Sequence, residues 1–170
     1  MKSKRRCEGI TLTELMVTVG IVAVVSGLAF TGYHAFMKAH NLSQSAYLLS
    51  QDLEAIRERA LSLGIDHFVV FYEDNGIYRA FRRDTMILER RLKSGVSFSL
   101  LADISEPACD CSDSSLVPIT FPGDTLTFFG RGAATQGCIY ISDGEKQMAI
   151  IVNPLGKVGV CSWFGGEWHE

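Results

Sequence analysis

The chain has 170 residues and a formal charge of −3, from 16 Lys and Arg against 19 Asp and Glu. It is 47% hydrophobic, enough for one compact domain with its own core but not for two once the N-terminal segments are set aside. The acidic balance argues against non-specific nucleic-acid binding by the whole molecule, while leaving room for a local basic patch.

The chain opens with Lys2-Ser3-Lys4-Arg5-Arg6-Cys7-Glu8, short, polar and basic, ending at Gly9. This segment carries +3, so the remainder carries about −6 of the overall −3. Ile10-Thr11-Leu12-Thr13-Glu14 then leads into an apolar run, and from Leu15 to Met37 there is no Asp, Glu, Lys or Arg. A run of that length suffices to cross a bilayer, which takes about 20 residues. Glu14 would lie just inside the apolar region, where an unpaired carboxylate costs roughly several kcal/mol or takes up a proton. Basic residues ahead of the run place the N-terminus in the cytoplasm and the rest outside. Two plainer readings stand beside this one. The first is a secretory signal peptide, with Leu15 to Val25 as its apolar region and cleavage after Gly27-Leu28-Ala29. The second is a simple anchor whose Glu14 snorkels to the interface.

An amphipathic helix is expected next. Leu42, Ala46, Leu49, Leu53, Ile56, Ala60 and Leu63 recur at three and four residues and form one stripe, with Gly64 as its C-terminal stop. Ile10 to Leu63 as one helix would run about 80 Å at 1.5 Å per residue. Gly20, Gly27 and Gly32 interrupt its first half, either as close-approach points between helices or as tolerated breaks in lipid.

The rest reads as β-structure. His67–Tyr72 and Ile77–Phe81 flank Glu73-Asp74-Asn75-Gly76, whose Asn-Gly predicts a type I′ hairpin turn. Strands are expected at Met86–Leu92, Val96–Leu101, Leu126–Phe129, Cys138–Ser142, Met148–Val152 and Lys157–Cys161. Ala102 to Pro118, rich in Asp, Ser, Cys and Pro, reads as the mobile or partner-facing loop.

Cys109, Cys111, Cys138 and Cys161 form an even set beyond the leader, and Cys7 lies within it. In an oxidising space these four are candidate disulfide cysteines. Two bridges, each from one of Cys109 and Cys111 to Cys138 or Cys161, and a single Cys138–Cys161 bridge are both open. A metal reading on Cys109-Asp110-Cys111 with Asp113 lacks the usual paired spacing. No His-Glu-x-x-His, Gly-x-Ser-x-Gly or Gly-Lys-Ser/Thr motif occurs. Gly130 to Gly137 is glycine-rich but lies between strands, which predicts a turn and not a phosphate cradle. Trp163, Phe164 and Trp168 read either as a contact patch or as the cover of a core edge. No catalytic residue, cofactor site or metal site is assigned.

Gly9 followed by Ile10-Thr11-Leu12-Thr13-Glu14-Leu15 resembles the class III signal of type IV pilins and type II secretion pseudopilins. The resemblance implies that a prepilin peptidase cuts between Gly9 and Ile10 and methylates the new amine, and that Glu14, fifth in the mature chain, serves filament assembly. Ile10 in place of Phe, Thr13 in place of an apolar residue, and Glu8 before the Gly depart from the pattern. Phe129-Gly130-Arg131-Gly132, Gly137-Cys138-Ile139-Tyr140-Ile141, and Ile150 through Val158 with Gly156-Lys157-Val158 resemble the end of the GspH/FimT pseudopilin domain. The implied fold is α+β: a long N-terminal helix, transmembrane in its first half and amphipathic in its second, packed on a small antiparallel β-sandwich. The implied organisation is leader 1–9, transmembrane helix 10–37, amphipathic helix 38–64 and β-rich periplasmic domain 65–170.

The implied function is that of a minor pseudopilin or minor pilin, a non-enzymatic subunit anchored in the bacterial inner membrane. Its partners would be the prepilin peptidase, other pilins or pseudopilins, and the secretion or pilus assembly platform. The competing function is a pilus-tip binding module for DNA or a secreted protein. Some competence-type minor pilins grip DNA through a Gly-Arg-x-Arg stretch. Here Gly156-Lys157-Val158-Gly159 fills only one of the two basic positions, so DNA is not an expected partner.

Overall fold

The computed structural model describes residues 11–102, 104, 106–109, 111 and 117–169, without the side chains of 28–32, 34, 35 and 39. Gly9 and Ile10, and Asp110 and Asp113 of the metal reading, lie outside the described residues. The fold is α+β, a long N-terminal helix followed by two antiparallel sheets. Helix α1 spans Leu12–Leu63. The chain divides into two compact units, Met1–Met37 and Lys38–Glu170.

In the first unit the apolar side chains of the helix face outward, with Leu15, Val19, Ile21 and Val25 55–60% exposed. Among the described residues no helix is long and apolar enough to cross a membrane. Gly20 and Gly27 have open space beside them.

The second unit holds the core. Leu42, Ala46, Leu49, Leu53, Ile56 and Ala60 are each no more than 2% exposed, so the predicted stripe is the buried face of the helix. Leu63 leaves the stripe and is 49% exposed. The helix stops there because Gly64 takes a left-handed φ of 62°. Ile65 N–H then reaches Ala60 O and Gly64 N–H reaches Leu61 O, satisfying the last carbonyls.

Among the described residues nine strands follow: β1 His67–Tyr72, β2 Ile77–Arg82, β3 Thr85–Arg91, β4 Ser97–Phe98, β5 Thr125–Phe128, β6 Gly137–Ser142, β7 Gln147–Val152, β8 Val158–Phe164 and β9 Glu167–His169. They form a four-stranded sheet in the order β3-β2-β1-β5 and a five-stranded sheet in the order β4-β6-β7-β8-β9, every pair antiparallel. Val69, Phe71 and Leu126 of the first sheet, Ile139, Ile141 and Ile150 of the second, and the helix stripe share one core. β1 alternates buried and half-buried, as a sheet with one open face must. β6 and β7 are buried at every position, so the second sheet is covered on both faces.

Three local expectations are corrected. Glu73–Asn75 forms a 3-10 turn, and only Gly76 takes positive φ. With Tyr72 paired to Ile77 this is a four-residue connection and not a type I′ turn. Ser97–Phe98 replaces the longer strand expected over Val96–Leu101, because the Ser99 carbonyl and the Leu101 N–H turn to the Gln147 side chain. β9 was not expected. Gly165 and Gly166 both take positive φ, which lets the chain reverse in two residues.

Candidate functional site

The N-terminal turn of α1 is built by Thr11. Its Oγ1 accepts the backbone N–H of Glu14 at 3.3 Å, and its carbonyl accepts Leu15 N–H at 3.2 Å. Thr11 is thus the N-cap, and Glu14 stands three residues on, in the capping-box position. A carboxylate there also meets the positive end of the helix dipole. Glu14 is exposed, and no cation pairs with its carboxylate among the described residues. The spacing Thr11-x-x-Glu14 was a legible signal for this cap that the reading of Glu14 as a membrane charge passed over.

The four cysteines lie on the outer face of the second sheet. Cys109 is bonded to Cys161 and Cys111 to Cys138, with Cα separations of 6.7 and 6.1 Å. A Cys138–Cys161 bridge is ruled out by register. Cys138 lies opposite Ile151 and Cys161 opposite Ala149, on strands either side of β7. Two strand spacings of about 4.8 Å each exceed the roughly 4.4–6.8 Å that a disulfide spans between Cα atoms.

The bridges pin the loop after β4 over Tyr140, Ala149 and Ile151, forming a second apolar cluster with Ala108 and the cysteines. Further bonds hold the loop down. Ala108 N–H donates to the Tyr140 hydroxyl at 3.1 Å, and Trp168 Nε1 donates to Glu106 O at 3.2 Å. Gln147, 1% exposed, accepts Leu101 N–H and donates to Ser99 O. The described part of this loop is therefore a packed cover rather than a free arm. Trp168 lies against Tyr140 and Trp163 and closes the edge of this cluster, whereas Phe164 is 77% exposed.

Glycines mark where backbone meets backbone. A Cβ on Gly130 would fall 2.3 Å from the Gly64 carbonyl carbon, and Gly130 N–H donates to Asp66 at 2.8 Å. This bond closes a shallow depression lined by Gly64, Asp66, Phe129, Gly130, Arg131 and Ala133. The glycine-rich stretch is a packed turn between β5 and β6. A Cβ on Gly156 would fall 2.7 Å from Arg57 Nε, and Arg57 Nη2 donates to Leu155 O. Lys157 is exposed, with its backbone held by Asn153. Its neighbourhood is explained by turn packing on Arg57. No group of three or more His, Cys, Asp or Glu arranged for a metal occurs among the described residues.

Residues 4–30 match a family model described as the prokaryotic N-terminal methylation motif. No curated protein matches the chain. Among solved structures, the chain is similar to the minor pseudopilin EpsH from the Type 2 Secretion System of Vibrio cholerae. The likeness has 18% identity over 72% of this chain and 97% of that one, with a TM-score of 0.49.

Proposed function

We propose that the chain is a minor pseudopilin or minor pilin, a structural subunit of a type II secretion or type IV pilus filament. A prepilin peptidase cuts between Gly9 and Ile10 and methylates the Ile10 amine. Residues 10–37 anchor the subunit in the inner membrane, and residues 65–170 present the β-domain on the periplasmic side to other pilins and the assembly platform. The observation that carries this reading is the methylation-motif match over residues 4–30, with Glu14 standing in the exposed first turn of the helix. The helix gives the subunit a polymerisation stalk, and the β-domain, which shares one core with the Leu42–Ala60 stripe of the helix, supplies the surface that selects neighbours. N-terminal sequencing of the chain isolated from membranes tests it. The expected first residue is Ile10. A mature chain beginning at Phe30 would place the segment among secretory signal peptides and overturn the reading.

A further inference from the structure

The second unit begins at Lys38, and its first helical turns border a surface unlike the buried stripe. An open depression of about 360 Å³ is lined by Leu42, Ser43 and Tyr47 of the helix, by Lys146 just before β7, and by Trp163 and Phe164 at the end of β8. Phe164 is 77% exposed, the highest value among the large apolar side chains described in this unit, and Tyr47 is 56% exposed. Trp163 is half-buried against Trp168. Past Phe164 the chain reverses through Gly165 and Gly166, and a Cβ on either would meet no atom within 4 Å. The tip of the β8–β9 hairpin is thus an aromatic ring followed by bare backbone in open space. Lys38 directly follows residues 10–37 in the chain, and its Nζ lies 3.7 Å from Glu145 on the β6–β7 turn. Leu42 stands one turn beyond Lys38, about 6 Å along the helix axis. Helical side chains lean toward the N-terminus, so Tyr47 leans back toward Ser43. Leu155, 75% exposed, marks the other end of the unit, where Arg57 Nη2 donates to its carbonyl. Arg57 stands roughly 28 Å beyond Lys38 along the axis at 1.5 Å per residue.

The charges at the Lys38 end nearly cancel. Lys38 pairs with Glu145, and Asp143 accepts the N–H groups of Glu145 and Lys146 within the turn. Lys146 and Glu167 stand exposed on the strands either side of Phe164. The adjoining rim, reached where Asn41 Nδ2 donates to Ser94 O, carries Arg91 and Lys93 with Glu73 and Asp74. Four cations thus stand against five carboxylates, and no net positive field draws nucleic acid or an acidic lipid. What remains is an amphipathic aromatic edge with a lysine beside it, a composition that settles between lipid tails and headgroups. We infer that the Tyr47–Trp163–Phe164 surface lies in the headgroup layer of a neutral phospholipid bilayer. Phe164 and the bare Gly165–Gly166 backbone meet the lipid, and the Lys146 ammonium meets the phosphates. Reach favours lipid over a protein partner. The headgroup layer is about 5–8 Å deep, a depth that the first turn after Lys38 matches. The inference rests on the reading of residues 10–37 as a membrane anchor, and it gives the second unit its own contact with the same bilayer.

The test uses the full chain reconstituted in phosphatidylcholine vesicles that include a phosphatidylcholine spin-labelled near the top of its acyl chain. Phe164→Trp adds a fluorophore at the hairpin tip, and Leu155→Trp adds one at the far end of the same unit. The emission added to that of the wild type is expected to be quenched at least about threefold more at position 164 than at 155, because only the former reaches headgroup depth. The wild type's own tryptophan emission is expected to be quenched in part. Tyr47→Ser with Phe164→Ser, native by circular dichroism, is expected to lose that quenching. Raising salt from about 0.05 to 0.5 M is expected to change none of this, since screening weakens only charge contacts. Equal quenching at 164 and 155, or quenching that appears only with anionic lipid, would overturn the contact. So would shielding of position 164 from aqueous acrylamide that grows with protein concentration while the lipid label has no effect, the signature of a protein partner. Flotation of the same vesicles separates the two readings. A chain that floats with position 164 unquenched overturns the contact alone. A chain left in the aqueous phase overturns the anchor and the contact together.

Discussion

Tyr78 donates its hydroxyl to Asp52 Oδ2 at 2.6 Å, and Arg90 Nε approaches the same oxygen at 2.9 Å, so one helix carboxylate collects two donors from neighbouring strands. Tyr78 is 2% exposed and Asp52 is largely covered. This cluster ties the amphipathic helix to the first sheet through side chains that hydrophobic patterning does not reveal. Burial, and then the hydrogen bond to Asp52, raise the Tyr78 pKa well above its ordinary value of 10.0.

A sign for alkaline stability follows. Because the folded phenol holds its proton more tightly than the unfolded one, its contribution is complete below pH 10 and is lost as pH rises above the unfolded value. Chemical denaturation at pH 8 and at about pH 11 should show a loss of stability in the wild type that Tyr78→Phe reduces. At pH 8 the same variant should cost about 1–3 kcal/mol, because Asp52 loses its buried donor. An equal alkaline loss in both proteins would show that other groups control the pH response.

The disulfides predict a thiol count. The chain has five cysteines, and four are bridged. Unfolded without reductant, the unprocessed chain should titrate one thiol, from Cys7, and the processed chain none. Cys111→Ala with Cys138→Ala opens a loop of 27 residues and should cost about 3 kcal/mol in the chain-entropy description. It should also raise binding of a hydrophobic dye as the cover over Tyr140 and Ile151 loosens. Two or more thiols in the processed chain, or no gain in dye binding, would contradict this arrangement.

The glycine contacts give a sharper mutational test. Gly130→Ala sets a methyl against the Gly64–Ile65 backbone, where no flexible side chain can yield. Gly144→Ala meets no atom within 4 Å, though its φ is 89°. Alanine at 144 should therefore cost only the strain of that φ, about 1–2 kcal/mol. Alanine at 130 should cost about 3 kcal/mol, the upper end of what overpacking costs. Equal losses in thermal denaturation would mean that the 129–132 turn yields to the added methyl.

The sequence disclosed those parts of the fold that a periodic apolar pattern dictates. The stripe from Leu42 to Ala60 recurs with the helical period, and the runs at β1, β6 and β7 carry strand-forming residues between turn signals. Gly64 was legible as a stop because only a residue free of Cβ strain suits that cap. What was not legible depends on pairs distant in sequence. Cys138 and Cys161 looked like neighbours on one sheet, and only the intervening β7 shows that they cannot meet. Gln147 ends β4 early by bonding the backbones of Ser99 and Leu101 from 48 and 46 residues away.

The last prediction concerns Glu14. After cleavage Ile10 would carry a free amine one residue before the Thr11 cap, and Glu14 would stand four residues beyond it on the same chain. The cap uses the backbone N–H of Glu14 and the hydroxyl of Thr11, so Glu14→Leu leaves that bond and the start of the helix in place. It removes the carboxylate alone. In lipid, a carboxylate and an amine contributed by neighbouring subunits offset a desolvation cost of roughly several kcal/mol that each would bear singly. Such pairing between subunits would make Glu14 a register device. Glu14→Leu is therefore expected to keep cleavage after Gly9, membrane association and a native β-domain, and to lose most crosslinking to partner subunits. Glu14→Gln, which keeps the size and drops the charge, should lose it as well. If both variants crosslink as the wild type does, Glu14 acts only through the helix N-terminus, as a residue beside the Thr11 cap, and inter-subunit pairing is excluded.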